Sequence, residues 1–240
     1  MFVPIHDDNP LRAIRFPIVT VALIALNVIV YVLEMMPQGQ VVAASFAIVP
    51  SELFQVGIFG GPANGMRDTL PVPESYTLIT YMFLHGDPFH LIGNMLFLWV
   101  FGDNIEDAMG HLKFLAFYLA CGVCGGLAHA ALMHAWSPQM AHVPLIGASA
   151  AVAGTIAAYL MLHPHVRVWV LAFRIIPLRI SAMFALGAWV LSQFVMVLLP
   201  SVGPVAWWAH VGGIIAGAVL LPFMRRPGVV LFDRRPQSAA

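Results

Sequence analysis

Hydrophobic positions in this chain come in long unbroken blocks, separated by short polar or proline-rich breaks. They show neither the narrow stripe of a surface helix nor the alternation of a half-buried strand. The blocks cover residues 17–36, 89–102, 114–136, 145–162, 178–199 and 205–224. A spanning helix needs roughly 17–25 apolar residues, and each block reaches that length or comes close to it. The second does so once the polar stretch 103–107 is counted as its end. The pattern therefore predicts six helices in one bundle, with residues 37–88 as a long outer loop between the first and second. Within that loop, residues 46–54 form an apolar patch broken by Pro50, and residues 57–73 are rich in glycine and proline. Such a mixture is expected to lie against the flank of the bundle at the membrane interface.

Composition removes the soluble alternative. The chain is 60% hydrophobic and 9% charged, whereas a soluble domain carries about 25% charged residues. The expected organisation is a short arm over residues 1–16, a helical domain over 17–224 and a frayed basic tail over 225–240. Residues 1–16 contain Asp and Arg and no small-residue cleavage site follows them, so no cleaved signal is expected. Cys121 and Cys124 form a CxxC spacing inside the third block. With no second pair to complete a metal site, they read as small apolar residues.

Charge orients the predicted bundle. With the N-terminus inside, Arg12, Arg15, Lys113, Arg167, Arg174, Arg179, Arg225, Arg226, Arg234 and Arg235 all fall on one side, and Arg67 alone falls on the other. This bias predicts a multi-pass protein with both termini cytoplasmic, in a cell (plasma) membrane.

Candidate chemistry lies in the few polar residues inside the blocks. Asn94 follows Pro88 by six positions, Ser149 follows Pro144 by five and His210 follows Pro204 by six. If each helix starts near its proline, a rise of about 1.5 Å per residue sets all three at one depth, roughly 7–9 Å from the outer face. His90 lies one turn from Asn94 on the same face. Polar groups at such depth are costly and tend to mark working sites. A serine becomes a nucleophile beside a base such as neutral imidazole. The Asn94 amide, the His90 ring and the Ser149 backbone N–H are candidate oxyanion donors. No Asp or Glu occurs in the fourth or sixth block, so a Ser/His dyad is expected rather than a triad. The spacings Gly213-xxx-Gly217 and Ala150-xxx-Gly154 predict that the two helices bearing Ser149 and His210 approach closely.

Taken together, Gly147-Ala148-Ser149, Ala209-His210-Val211-Gly212-Gly213, His90-Leu91-Ile92-Gly93-Asn94, Phe101-Gly102-Asp103-Asn104-Ile105-Glu106 and Gly110-His111 resemble the rhomboid intramembrane serine proteases over residues 46–221. The resemblance implies an all-α, six-transmembrane-helix bundle acting as a serine endopeptidase on membrane-anchored proteins, within or near a transmembrane segment. It implies Ser149 as nucleophile, His210 as base, His90, Asn94 and Gly147 on the oxyanion side, and His85 as support of the same cavity. Glu106 and Gly110 would hold the turn after the second helix. It implies no metal and no cofactor. The expected partners are single-span or membrane-anchored substrates and the lipid bilayer, with no nucleic acid. Two positions depart from the family pattern: Ala150 stands where glycine is usual, and Ala153 where many members have an aromatic ring against the histidine. The space beside Ala153 is expected either to be filled by another helix, with Phe194 or Met196 of the fifth block as candidates, or to hold water.

Two other functions fit parts of the sequence. A catalytically inactive relative would bind membrane clients in the same groove. A metal transporter would use His85, His90, His129, His134, His142 and His210, but apart from Glu34 near an outer end its helices lack the intramembrane carboxylates that a cation pathway normally uses. His111, His163 and His165 on the basic side, and Trp136, Trp207 and Trp208 at the outer boundary, read as interface residues.

Overall fold

A helix stands in every apolar block. The computed structural model describes residues 2–57, 69–172, 175–199 and 205–233. Arg67, Arg174, Pro204, Arg234 and Arg235, and residues 58–68 of the glycine- and proline-rich stretch, lie outside the described residues. In chain order the elements are β1 (Phe2–Asp7), α1 (Ile18–Glu34), α2 (Gly39–Ala44), α3 (Pro50–Val56), α4 (Glu74–Thr80) with a 3-10 turn Tyr81–Phe83, and α5 (Pro88–Met109). There follow α6 (His111–Trp136), a 3-10 turn Pro138–Met140, α7 (Ser149–Leu162), β2 (Arg167–Ala172), β3 (Ile176–Ser181), α8 (Ala182–Leu198) and α9 (Trp207–Met224). The protein is mostly helical. Among the described residues, α6 and α9 are long and apolar enough to cross a membrane by length and composition, and α1, α7 and α8 are apolar but shorter.

Local chemistry sets the helix ends. Pro88 occupies the first position of α5, and Asp87 before it accepts the N–H groups of Phe89 and His90 at 2.8 and 3.0 Å, a side-chain cap on donors the helix leaves free. The polar stretch 103–107 does form the end of α5, which closes at Gly110 with φ +87°, a conformation glycine adopts without strain. Helix α6 begins at the next residue. Pro50, expected to break an apolar patch, instead starts α3.

Helices α6, α7 and α9 form the centre. The small-residue spacings place backbone against backbone here: a Cβ at Gly213 would overlap the Ala150 carbonyl, and one at Gly217 would overlap that of Gly154. Larger side chains surround this contact, with Phe101, Phe114, Phe117, Tyr118 and Tyr159 fully buried.

Several expectations need correction. The fold is not all-α, because β1, β2 and β3 make one antiparallel sheet in that order. Residues 178–181 of the fifth block lie in β3, so α8 starts later than the hydrophobicity suggests. The arm is no loose end: β1 pairs with β2, and Asp8 accepts Arg179 Nε and Nη2 at 2.9 and 2.6 Å. Nor is 37–88 a plain loop. It contains α2, α3 and α4, buries Ile48, Leu53 and Tyr81 completely, and joins Ile48 to Leu145 by a two-way backbone bridge. Up to residue 233 the tail is tied down as well, with Arg226 N–H bonded to the Ala108 carbonyl and Phe232 N–H to that of Met161.

Candidate active site

At one end of the bundle, α7 and α9 bring Ser149 and His210 together. Ser149 Oγ lies 2.9 Å from His210 Nε2. Ser149 is partly accessible while His210 is buried. The residues that the depth rule picked out do lie together, though the helix starts it assumed are only partly met. Helix α5 starts at its proline, but α7 starts at Ser149 itself, five residues after Pro144. The bridge between Ile48 and Leu145 and the bond from Gly147 N–H to the Tyr81 carbonyl at 2.9 Å hold the chain extended until then. Ser149 therefore sits where a helix leaves its first N–H groups without partners inside it, beside the positive end of the helix dipole. A developing oxyanion would find donors there.

The predicted oxyanion residues gather over the turn that precedes Ser149. Gly147 has φ +116°, and a Cβ there would lie 2.6 Å from His90 Cε1 and 3.8 Å from Asn94 Nδ2. Glycine is required both for the backbone angle and for this approach. Asn94 Nδ2 lies 3.1 Å from His85 Nε2, an atom that accepts the amide proton. The His85 ring also packs edge-on to His90, with centroids 5.0 Å apart. Its backbone N–H donates to the Glu34 carboxylate at 3.2 Å. All six residues singled out by sequence, Ser149, His210, Asn94, His90, Gly147 and His85, thus belong to one constellation.

Sequence reasoning missed one member. Gln193 of α8 is buried, and its Oε1 lies 2.7 Å from His210 Nδ1. A signal was present: Gln193 is the one amide side chain in block 178–199, six residues from its outer end, the same depth as the other site residues at about 1.5 Å per residue. The depth rule was tied to prolines, and the fifth block runs the opposite way, toward the outer face. The filler beside Ala153 is also corrected. Ala153 packs with Ala157, Ile214, Trp189 and Val190, while Phe194 is exposed. The Trp189 ring lies 6.1 Å from the His210 ring and that of Trp207 stands edge-on at 5.9 Å. Trp207 thus contacts the base rather than serving only as a boundary residue.

The remaining histidines have separate surroundings. His134 stacks on Phe54 with centroids 4.6 Å apart, and His142 Nδ1 lies 2.9 Å from Ser51 Oγ. Among the described residues no three His, Cys, Asp or Glu side chains converge as metal ligands would. Cys121 is buried and Cys124 exposed, and neither is in a disulfide. At the other end of the bundle, Glu106 accepts Val19 N–H at 2.9 Å, Thr20 N–H at 2.8 Å and the Thr20 hydroxyl at 2.7 Å, and also bonds His111.

Residues 72–227 match the family described as Rhomboid domain. Rhomboid protein 1, mitochondrial, of Saccharomyces cerevisiae is 26% identical over 178 residues, covering 70% of this chain and 47% of its own. RHOMBOID-like protein 12, mitochondrial, of Arabidopsis thaliana is 30% identical over 163 residues, covering 63% of this chain and 47% of its own. Rhomboid protease GluP of Bacillus subtilis is 34% identical over 102 residues, covering 42% of this chain and 18% of its own. The chain spans about half the length of the first two relatives. Both are mitochondrial by name, which overturns the expectation of a cell plasma membrane with cytoplasmic termini and points to a mitochondrial membrane instead. Helix length and basic flanks could not have distinguished the two, because bilayers of similar thickness ask for the same apolar length. The Rhomboid domain covers most of the chain, from the start of α4 to the end of α9, and the chain belongs to the rhomboid family.

Proposed function

We propose that this protein is an intramembrane serine endopeptidase that cleaves membrane-anchored proteins within or near a transmembrane segment. The observation that carries this reading is the 2.9 Å contact between Ser149 Oγ and His210 Nε2 in a member of the rhomboid family. In the proposed reaction Ser149 Oγ attacks the scissile carbonyl as His210 Nε2 takes its proton. The oxyanion is met by the Ser149 N–H, the Asn94 amide and the His90 ring, with His85 holding Asn94. His210 then returns the proton to the leaving amine, and water attacks the acyl-enzyme with His210 again as base.

The architecture proposed for this chemistry is a domain over residues 17–224 in which α1, α5, α6, α7, α8 and α9 span the bilayer. Helix α7 has 14 residues, about 21 Å at 1.5 Å per residue, against a hydrocarbon core of about 30 Å. A helix that short, with its basic-side end at the membrane surface, sets its first residue well below the opposite surface. Ser149 then lies within membrane depth but at the floor of a depression that water and an unwound substrate segment can enter. The described basic residues support one orientation: Arg12, Arg167, Arg179, Arg225 and Arg226 flank the ends of elements remote from Ser149.

The test uses the purified protein in liposomes with a single-span substrate and a fluorophosphonate probe. Wild type should be labelled at Ser149 and cleave the substrate; Ser149→Ala and His210→Ala should each lose cleavage while remaining folded. Near-normal turnover in either variant would overturn the reading. A folded wild type that binds the substrate, resists the probe and does not cleave would instead be a catalytically inactive relative that binds membrane clients in the same groove.

A further inference from the structure

A dyad with no acid must obtain the right imidazole tautomer from elsewhere. A neutral imidazole carries its proton on either nitrogen, and only the form protonated at Nδ1 leaves Nε2 free to receive the serine proton. The hydrogen bonds around α8 decide which form fits. The Trp189 carbonyl can only accept, and Gln193 Nε2 lies 3.0 Å from it. The same nitrogen lies 2.9 Å from Ser192 Oγ, whose own proton goes to the Trp189 carbonyl at 2.6 Å, so that oxygen too accepts from the amide. Both contacts require the NH2 end of Gln193 to face its own helix and the carbonyl end to face His210, 2.7 Å away at Nδ1. An amide oxygen cannot donate, so Nδ1 must carry the proton. The direction of every bond from the α8 backbone to Ser149 follows from one carbonyl group.

We propose that Gln193 is the positioning residue of the dyad: its carbonyl oxygen fixes His210 in the tautomer protonated at Nδ1 and holds Nε2 on Ser149. This rests on the protease reading and adds the missing orienting group to it. Gln193 takes the place that a carboxylate holds in a triad with an uncharged acceptor, which avoids burying an ion at membrane depth. The rings of Trp189 and Trp207 limit the imidazole from two sides, while Gln193 sets its rotation and its proton. The titratable groups that act on His210 from the helices packed around it are His90 of α5 and His129 of α6.

The experiment compares wild type, Gln193→Leu and Gln193→Glu in liposomes, reading kcat and KM separately across pH, together with the 15N shifts of the His210 ring. Gln193→Leu keeps the bulk without the acceptor and should lower kcat about 10²-fold, the cost of a misplaced catalytic group, with KM unchanged. Its ring should show both tautomers, where wild type shows Nδ1–H alone. Gln193→Glu restores an acceptor and should recover most of kcat, and once ionised it should move the acid limb of the profile to higher pH, because a carboxylate favours the imidazolium. Wild-type kcat and pH profile in Gln193→Leu would overturn the proposal. So would a proton on Nε2 in the wild-type ring, an outcome readable even if the leucine variant does not fold. The two readings separate cleanly: a wild type that cleaves but is indifferent to Gln193→Leu defeats only the positioning role. A wild type that never cleaves, yet holds Nδ1–H through Gln193, defeats only the protease reading.

Discussion

The two ends of the helical bundle hold their polar groups in opposite ways. At the basic end, the Glu106 carboxylate collects two backbone N–H groups and a hydroxyl at the start of α1, and Asp107 collects the N–H groups of Arg12, Ala13 and Ile14. Each acid closes off a stretch of chain whose donors would otherwise be stranded. At the Ser149 end, carboxylates stand only at the edge, Glu34 on the His85 N–H and Asp87 at the start of α5, and the side chains between them are a serine, three histidines and two amides, of which Ser149, His210 and Gln193 form a single file of contacts. An anchor gains from charge-assisted bonds that are hard to break. A group that passes a proton must be held in direction yet free to change partners, and one neutral bond on each side achieves that. The comparison teaches that the charged anchors and the proposed chemistry lie at separate ends of the same bundle.

The largest expected effect tests the anchor end. Glu106→Ala strands three donors, at about 1–3 kcal/mol each when buried. It should lower the melting temperature in detergent steeply, with Ser149 probe labelling lost only as the fold is lost. A variant that loses labelling while its thermal transition is unchanged would show that the two ends are not separate. Next comes Asn94→Ala, which removes one oxyanion donor and should reduce kcat about 10²-fold with the melting temperature little changed, the reverse signature. A fall in stability without a fall in kcat would return Asn94 to the structural side of the comparison.

The smallest effect concerns the sheet beside the anchor. Burial of Asp7 raises its carboxyl from 3.8 to about 7, against the bond from the Tyr159 hydroxyl, which favours the charged form. A carboxyl raised on folding binds its proton more tightly in the folded state. Its contribution to docking β1 is therefore complete below pH 3.8 and is lost as pH rises to about 7. Amide exchange in β1, corrected for intrinsic rates, should be better protected at pH 5 than at pH 8. Asp7→Asn, which keeps an acceptor for Tyr159 without a titrating group, should remove the difference. Equal protection in wild type at both pH values would exclude Asp7 as its source.

The sequence by itself determined the parts that depend on local composition and repeat spacing. Apolar blocks announced the helices, since a helix satisfies its own backbone wherever the side chains are apolar. Small residues four apart announced the contact of α7 with α9, since the absence of side chains is what permits it. Ser149, His210, Asn94 and His90 stood out because a polar residue in an apolar block is costly enough to need a purpose. Tertiary structure alone decided the rest. Strand β1 finds its partner about 165 residues away, a pairing between distant stretches that local composition does not specify. The start of α7 at Ser149 depends on a bridge to Ile48 in a segment read as loop. Gln193 was visible as a polar residue at the right depth, but its role is set by which way its amide faces. That direction follows from the carbonyl of Trp189 on one side and His210 on the other, a relation between two helices that no single stretch of sequence contains.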